Sequence, residues 1–315
     1  MLKRKALKRI FVTTITLFIF LTVYVISGID KEDKLDSKVE VEYTFNEGTN
    51  SIYLLNKDGY LVKAKTLITS KDKTKQIEAI LNSLIEGNDN SFPDELKATI
   101  PKNTKVLEIR YDKESVTINF SKEFLNLKKS IEKKTIESIV YSIFDLKEVK
   151  EIFIEVEGKL LNEYPNSKEK IYYPLDKSIG INNEYNITSR NDINKTVIYY
   201  LEKINNEKYY VPVTKYENTK DDKIKVIIDS LTTNYIYEPN LMSVLNTNLK
   251  LNGYNKEDNV FFLDFNNYLY DKNQKLVEEV IYSISYSVFD NYDVNNIVFM
   301  IDGKNVKTVM LNDVK

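Results

Sequence analysis

The chain has neither cysteine nor histidine among its 315 residues. The absence of cysteine excludes disulfides, thiolate metal sites and the acylated cysteine of a bacterial lipoprotein. The absence of histidine excludes Ser-His-Asp and Cys-His catalytic arrangements and ordinary zinc sites. Most familiar catalytic chemistry is therefore excluded, and the sequence predicts a protein that is not an enzyme, with no catalytic, cofactor-binding or metal-binding residue.

Tryptophan is also absent, and neither sign of charge predominates. The 45 basic and 47 acidic side chains give a net charge of -2, so no large electrostatic field favours nucleic acid as a partner. A hydrophobic content of 42% and a charged content of 29% are typical of a folded chain. The length is sufficient for about two domains.

The N-terminal region has the pattern of a membrane anchor. Five basic residues between positions 3 and 9 precede an uncharged, apolar run at residues 10–26. Continued through Ile29, this run is about 20 residues long, which as a helix spans a hydrocarbon core. The positive-inside rule places the N-terminus in the cytoplasm and the rest outside. A cleaved signal peptide, with Val25 and Ser27 before the cut, is the alternative.

The remaining sequence contains an internal repeat. Residues 136–159 align without a gap on residues 281–304, an offset of 145, and eleven of the 24 aligned pairs are identical. The identical pairs include Tyr141 with Tyr286, Phe144 with Phe289, Asp145 with Asp290, and Gly158 with Gly303. A duplication of one domain explains this pattern better than two unrelated domains do.

Each copy predicts an α+β domain with the order β-β-α-β-β-α-β. The first helix has apolar residues at i, i+3, i+4 and i+7, from Ile77 to Leu84 and again from Ile224 to Leu231, and Gly87 is expected to close the first of these helices. Period-two alternation at residues 107–111 and 116–120 predicts half-buried strands. We expect an anchor and linker at residues 1–42, domains at 43–176 and 196–315, and an Asn-rich linker at 177–195.

Several polar groups could be mistaken for functional sites. Ser121 follows a strand, and we expect it to be a helix N-cap or turn residue, because Asn266 replaces it in the second copy. Glu155 and Glu157 are expected to share the solvent face of a strand. Together with Asp302, these acids could form a catalytic carboxylate pair or a calcium site, and these interpretations stay open. The alternation of solvent-facing residues along a strand explains the acids more simply.

Two sets of lysines have equally simple explanations. The lysines at positions 128, 129, 133 and 134 alternate with Glu132 and Glu137, which is typical of a solvated helix face. The Gly-Lys pairs at 158–159 and 303–304 are expected to be turns, because they end strands and lack the remaining residues of a phosphate-binding loop.

The motifs of each copy resemble the GerMN domains of sporulation and spore germination proteins. The pattern of that family is a leucine-rich helix, Ile-Pro-x-x-Thr, a strand ending in Asp/Asn-Phe-Ser, a helix, and a strand closing on Glu-Gly. The first copy matches it at residues 84–87, 100–104, 116–124, 139–149 and 156–159. The second copy keeps residues 210–214, 263–265 and 301–303 but lacks the Ile-Pro element and has Asn266 in place of the serine.

The resemblance implies a scaffold role in the envelope during sporulation or germination. Its partners would be other envelope or sporulation proteins, with self-association as a further option, and no nucleic acid. The resemblance also implies a lipid-modified cysteine, which this chain lacks, so attachment would depend on the apolar run at 10–26. We expect a single-pass protein of the cell membrane with extracytoplasmic domains. The alternative is an extracytoplasmic peptidoglycan-binding protein or carboxylate-dependent cell-wall hydrolase.

Overall fold

The structure is a computed structural model that describes residues 49–88, 92–146, 148–232 and 241–313. The predicted membrane anchor and the linker after it lie outside these residues. Within the described ranges, no helix has the length and apolar character needed to cross a membrane. Both copies of the repeat belong to one compact unit, Asn46–Lys315.

The first domain contains a hairpin, two helices and a four-stranded sheet. Its elements are β1 (Thr49–Leu55), β2 (Leu61–Leu67), α1 (Lys73–Ser83), β3 (Val106–Asp112), β4 (Ser115–Phe120), α2 (Glu132–Ile143), β5 (Glu151–Val156) and β6 (Lys159–Leu160). The strands β3 to β6 form a four-stranded sheet in chain order, in which β4 and β5 are parallel and the other pairs are antiparallel. A parallel pair requires a crossover, and α2 supplies it.

The second domain repeats this arrangement. Its elements are β8 (Ile193–Ile204), β9 (Glu207–Asn218), α3 (Lys223–Thr232), β10 (Leu251–Glu257), β11 (Val260–Phe265), α4 (Glu278–Asn291), β12 (Asn296–Ile301) and β13 (Lys304–Met310). The strands β10 to β13 form a second four-stranded sheet, with β11 and β12 parallel. The alternation of buried and half-buried residues in β11 and β12 leaves one face of this sheet on the core and the other facing outward.

The two N-terminal hairpins join into one sheet. The strands β1 and β2 pair throughout, as do β8 and β9, and β2 pairs with β9 where Lys63 faces Tyr210. A short strand, β7 (Glu184–Asn186), pairs in parallel with the far end of β9. The result is a five-stranded sheet that is continuous across the two domains.

The mixed α+β class and the predicted element order are found in both copies, with two differences. Each copy has an additional strand, β6 or β13, which forms a hairpin with the strand before it. The first helix ends at Ser83, so Gly87 is not its cap. The chain instead turns to form a bridge between Ile85 and Ile100, and Gly87 has a φ of +86° just beyond it.

The predicted linker at residues 177–195 is closely packed in the structure. Ile181 is fully buried and belongs to the core of the first domain, and Asn182 is 3% exposed. The strand β7 lies in the same segment. The Asn-rich composition predicted a linker, but this segment is part of the packed structure. The exact domain boundaries stay a prediction.

Candidate functional site

The helix α2 covers the free edge of β1 with polar side chains. The backbone N–H of Ser51 donates to Asp145 Oδ2 over 2.8 Å, and the N–H of Tyr53 donates to Ser142 Oγ over 3.0 Å. Ser138 Oγ donates to the carbonyl of Tyr53 over 2.6 Å. Serine suits these positions because its short side chain lets the strand approach the helix and its hydroxyl replaces a neighbouring strand as hydrogen-bond partner.

The helix α4 covers β8 in the same way. The N–H of Tyr199 donates to Ser287 Oγ over 2.9 Å, at the position equivalent to Ser142. Asn291 accepts from the N–H of Val197 over 3.0 Å and donates to its carbonyl over 2.6 Å. The five-stranded sheet is therefore bordered by a helix at both β1 and β8, and the helices belong to different domains.

The two tyrosines of these edge strands meet between the domains. Tyr53 and Tyr199 have hydroxyl oxygens 3.3 Å apart, and Tyr199 donates to Asp290 Oδ2 over 2.6 Å. Lys177 donates to the other oxygen of Asp290 over 2.7 Å. Burial opposes ionisation of Asp290, but the Lys177 ammonium and the Tyr199 hydroxyl outweigh it and lower the pKa of this carboxyl.

Lys63 brings a second positive charge into this region. Its Nζ lies 3.9 Å from the centre of the Tyr286 ring, a cation–π contact from β2 of the first domain to α4 of the second. Burial lowers the pKa of Lys63 to about 8, and the carboxylates of Asp145 and Asp290 oppose that shift. We call the group formed by Tyr53, Lys63, Asp145, Lys177, Tyr199, Tyr286 and Asp290 the domain joint.

Asn182 holds β2 and β9 together beside the domain joint. Its Oδ1 accepts from the N–H of Leu61 over 2.8 Å, and its Nδ2 donates to the carbonyls of Leu61, over 2.8 Å, and Pro212, over 2.7 Å. Its own N–H donates to Glu137 over 2.9 Å. Asn182 has a φ of +49°, a conformation that asparagine tolerates better than most residues. The Asn182 side chain thus links β2 of the first domain to β9 of the second by hydrogen bonds to both strands.

Ser121 and Asn266 have the predicted structural roles. Each is the N-cap residue of a short 3₁₀ helix, Lys122–Asn126 in the first copy and Asn267–Leu269 in the second. Ser121 Oγ accepts from the N–H of Lys105 over 3.0 Å, and Asn266 Oδ1 accepts from the N–H of Lys250 over 3.2 Å. Asn266 also accepts from Tyr268 N–H, whereas Ser121 makes no capping bond of that kind.

The acidic residues considered as a carboxylate pair lie in different elements and have different partners. Glu155 lies in β5 and accepts two hydrogen bonds of 2.8 Å from Arg110. Glu157 lies beyond the end of β5, in a turn with a φ of +49°, and accepts from the N–H of Lys122 over 2.9 Å. The expectation that they share a strand face is wrong, because β5 ends at Val156. Asp302 occupies the equivalent turn of the second copy.

The segment with four lysines is only partly a solvated helix face, because Lys128 and Lys129 precede α2 and the two acids on the helix are buried. Glu132 is 1% exposed and accepts from the N–H groups of Asn166 and Ser167 over 2.9 Å each. Glu137 is also buried; burial raises its pKa, and Lys134, at 3.5 Å, opposes the shift. The predicted solvated face is therefore wrong for these two acids, since both accept bonds from chain segments that follow β6.

The domain joint was not predicted from the sequence. The identity of Asp145 with Asp290 and the place of Tyr286 in the repeat were visible in the sequence, but nothing there indicated that Tyr286 contacts Lys63 of the first copy or that Asp290 binds Tyr199 and Lys177. The Gly-Lys pairs, by contrast, lie in tight hairpin turns as predicted, with φ of +73° at Gly158 and +77° at Gly303. Within the described ranges, no three acidic side chains are placed to hold a metal ion.

Comparison with known proteins gives matches to both copies. The family described as Germane, sporulation and spore germination, matches residues 51–162 and again residues 197–307. The spore germination protein GerM of Bacillus subtilis (strain 168) is 29% identical over 265 residues, which cover 80% of this chain and 71% of that protein. The solved structure of the tandem GerMN domains of the sporulation protein GerM from Bacillus subtilis has a TM-score of 0.74 at 24% identity. That match covers 83% of this chain and 96% of the solved one, so the tandem fold is shared.

Proposed function

The chain belongs to the Germane family of sporulation and spore germination proteins, and on that premise we propose that it is a non-enzymatic assembly module of the cell envelope. In this role it acts during sporulation, germination or both. It is held to the membrane by the apolar run at residues 10–26 and presents its two domains outside the membrane to other envelope proteins.

The observation that carries this proposal is the connection between the domains. The continuous sheet through β2 and β9, the side-chain bridge of Asn182 and the domain joint hold two similar modules together. Such a pair offers two outward sheets on one scaffold, which suits an assembly role.

The chemistry of the buried polar groups supports the same role. Asp290 is engaged by Lys177 and Tyr199, and Asp145 accepts from the backbone of Ser51. These carboxylates connect strands, helices and domains. Of the acids considered for cell-wall hydrolysis, Glu155 is held by Arg110 and Glu157 is part of a turn. Their engagement favours an interaction protein over a carboxylate-dependent hydrolase, which needs one free carboxyl as acid and another as base or nucleophile.

The proposal is tested by deleting the gene in its host, counting heat-resistant spores and measuring the germination of those that form. We expect a loss in at least one measurement, restored by the wild-type gene. Normal spore numbers together with normal germination would overturn the sporulation role. Complementation with Glu155→Gln and Glu157→Gln separates the two mechanisms, because an assembly module tolerates both changes and a carboxylate-dependent hydrolase does not.

The anchor is tested separately with a reporter fused after residue 30. We expect activity outside the cytoplasm and retention in the membrane fraction. A soluble, shortened product would replace the anchor with a cleaved signal peptide.

A further inference from the structure

The strand β10 contains a β-bulge. Leu251 faces Phe265 and Gly253 faces Asp264 in β11, so Asn252 is the additional residue of the bulge. β10 is also the first strand in the order β10-β11-β12-β13 of its sheet, which is an edge position. The side chain of Asn252 is exposed. Asn252 therefore lies where the backbone ladder is interrupted and where water reaches the chain.

The residue after Asn252 makes this bulge chemically reactive. Gly253 is the only one of the eight glycines in the sequence that follows an asparagine. Asparagine is one of the labile residues of proteins, because its amide carbon is placed to close a five-membered ring with the backbone nitrogen of the next residue. Glycine lacks the Cβ that hinders this ring closure elsewhere. The space beside the Cα of Gly253, where a side chain would lie, is also open to 4 Å. The pair thus combines a labile amide with an unhindered nitrogen.

The first copy has the same bulge with different residues. Val106 faces Phe120 and Glu108 faces Asn119, so Leu107 is the additional residue there. Leu107 is 48% exposed, as expected of a bulge residue on an edge strand. The fold therefore forms this bulge without asparagine or glycine, and the backbone shape does not require the reactive pair of the second copy.

We propose that Asn252 is a site of spontaneous covalent modification in the folded protein, at which the side-chain amide becomes a carboxylate with water as the co-reactant. A base removes the proton from the backbone nitrogen of Gly253, and this nitrogen forms a bond to Cγ of Asn252. The bond from Cγ to Nδ2 breaks, and the nitrogen leaves with its electron pair, takes up a proton and departs as ammonia. Water then adds to either carbonyl of the cyclic imide and gives aspartate or isoaspartate. The reaction consumes water and releases ammonia, so it needs no oxidant.

Local opening of β10 gives the nitrogen of Gly253 the freedom that this reaction needs. An edge strand opens at a lower free energy than the centre of a sheet, and the bulge interrupts the regular ladder. Asn255 is the contrast on the same strand: it is exposed, faces Phe262 in regular register, and donates from Nδ2 to Glu257 over 2.8 Å. Lys256 follows it, and the Cβ of that residue hinders ring closure. One strand therefore holds a reactive and an unreactive asparagine.

Both products disturb the edge strand. A carboxylate at position 252 faces the carboxylate of Asp264, because the two residues of the bulge oppose one, and like charges in opposite positions repel. Isoaspartate also adds one methylene to the main chain, which displaces the hydrogen-bonding groups of the residues that follow. Tyr254, whose hydroxyl donates to Asp222 before α3, is one of these residues. The modification therefore weakens the attachment of β10 to the second domain.

Peptide mass spectrometry of the full chain tests the site. The folded protein is incubated at neutral and at mildly alkaline pH, and the fraction of each asparagine that has gained one dalton is followed over time. We expect Asn252 to react several-fold faster than Asn255, and its rate to rise with hydroxide concentration because a base forms the nucleophile. No gain at Asn252, equal rates at the two asparagines, or reaction of Asn252 only after unfolding in urea would overturn the proposal.

A substitution taken from the first copy tests the mechanism. Gly253→Glu retains Asn252 but adds a side chain that hinders ring closure, and the same bulge accepts glutamate at Glu108. We expect the rate at Asn252 to fall to that of Asn255. An unchanged rate at an unchanged melting temperature would contradict the mechanism. If this variant melts earlier, Gly253→Ala gives the same comparison with a smaller side chain.

A second pair of variants tests the effect of the product. Asn252→Asp reproduces the new charge opposite Asp264, and Asn252→Leu installs the neutral residue of the first copy. We expect Asn252→Asp to have the lower melting temperature, because the two carboxylates repel. An equal or higher melting temperature for Asn252→Asp would overturn the predicted weakening of β10.

Discussion

The hydroxyl groups of Tyr53 and Tyr199 lie 3.3 Å apart, although one belongs to the first domain and the other to the second. Each tyrosine occupies the equivalent place in its copy, on an edge strand whose backbone bonds to a helix serine. The two copies therefore meet with like against like, as the halves of a twofold dimer do. Only Tyr199 continues to a carboxylate, that of Asp290.

This asymmetry predicts unequal effects for two conservative substitutions. Tyr199→Phe removes the donor to Asp290 and leaves a buried carboxylate with one partner fewer, so we expect a loss of about 1–3 kcal/mol in the free energy of unfolding. Tyr53→Phe leaves that bond in place and should lose about 1 kcal/mol or less. Urea denaturation of both variants measures the difference. Equal losses would show that the bond to Asp290 contributes nothing of its own.

Asn182 is predicted to determine how the domains are joined. Asn182→Ala removes the bonds to Leu61 and Pro212 and places alanine at a positive φ, so we expect a loss of about 2–4 kcal/mol. Small-angle scattering should show a wider distribution of distances between the domains. Asn186→Ala is the control, because the exposed side chain of Asn186 bonds to Glu184 within the same strand and, among the described residues, forms no hydrogen bond to another strand. If both variants changed the stability and the distance distribution to the same extent, Asn182 would have no special role in joining the domains.

Lys63 predicts a rise in stability with pH. Its pKa is about 8 when folded and 10.5 in the unfolded chain, so between these values the unfolded state binds more protons. The free energy of unfolding should therefore increase from pH 8 towards pH 10, by at most about 1.4 kcal/mol per pH unit from this group. Denaturation at several pH values, compared with Lys63→Met, isolates the effect. Burial raises the pKa of Tyr53 and Tyr199, which reverses the trend above about pH 10, so measurements stay below it. Identical slopes in both proteins would exclude Lys63 as the cause.

Substitutions of two buried helix serines are predicted to have different effects, because one serine bonds to a strand edge and the other has no such bond within the described ranges. Ser142→Ala leaves the N–H of Tyr53 without its acceptor, and we expect a loss of about 1–3 kcal/mol and faster hydrogen exchange at that amide. Ser285→Ala is the control, since the Ser285 hydroxyl is buried without a hydrogen-bond partner among the described residues. It should be neutral or stabilising. A large loss of unfolding free energy from Ser285→Ala would indicate that replacing a buried serine by alanine disturbs packing. The effect of Ser142→Ala could then not be attributed to its hydrogen bond.

Ser121 is predicted to be replaceable by the residue of the second copy. Ser121→Asn should change the free energy of unfolding by less than about 0.5 kcal/mol, because Asn266 accepts the equivalent bond from Lys250. Ser121→Ala removes the acceptor for Lys105 and should lose about 1 kcal/mol. Thermal unfolding of the pair provides the measurement. If both variants complement the gene deletion, the result agrees with a structural role for Ser121. If both fail to complement it although their stability is native, the structural role is contradicted.

Local patterns predicted much of the fold because the relevant forces are local. The stripe from Ile77 to Leu84 and the alternation from Val116 to Phe120 gave the helix and strand correctly, since their buried residues follow the period of each element. The motifs at the ends of β4 and β11 also indicated the caps at Ser121 and Asn266. The repeat then carried these assignments into the second copy.

The domain joint was not predictable in this way because its partners are far apart in sequence. Tyr53 and Tyr199 are 146 positions apart, and no periodicity connects them. The polar segment at 177–195 was also misleading, because its asparagines satisfy backbone groups inside the protein and do not only face water. Composition does not distinguish an asparagine such as Asn182, which bonds to two strands, from one in solvent.

The single-residue pairing of Lys63 with Tyr210 also protects the protein from its own strands. A first domain produced alone would expose the backbone edge of β2, and a second domain alone would expose that part of β9. Open edges of this kind are templates for unintended pairing and aggregation. Each copy thus covers part of the sheet edge of the other, and loss of either half would leave that part of the edge open to pairing with another chain.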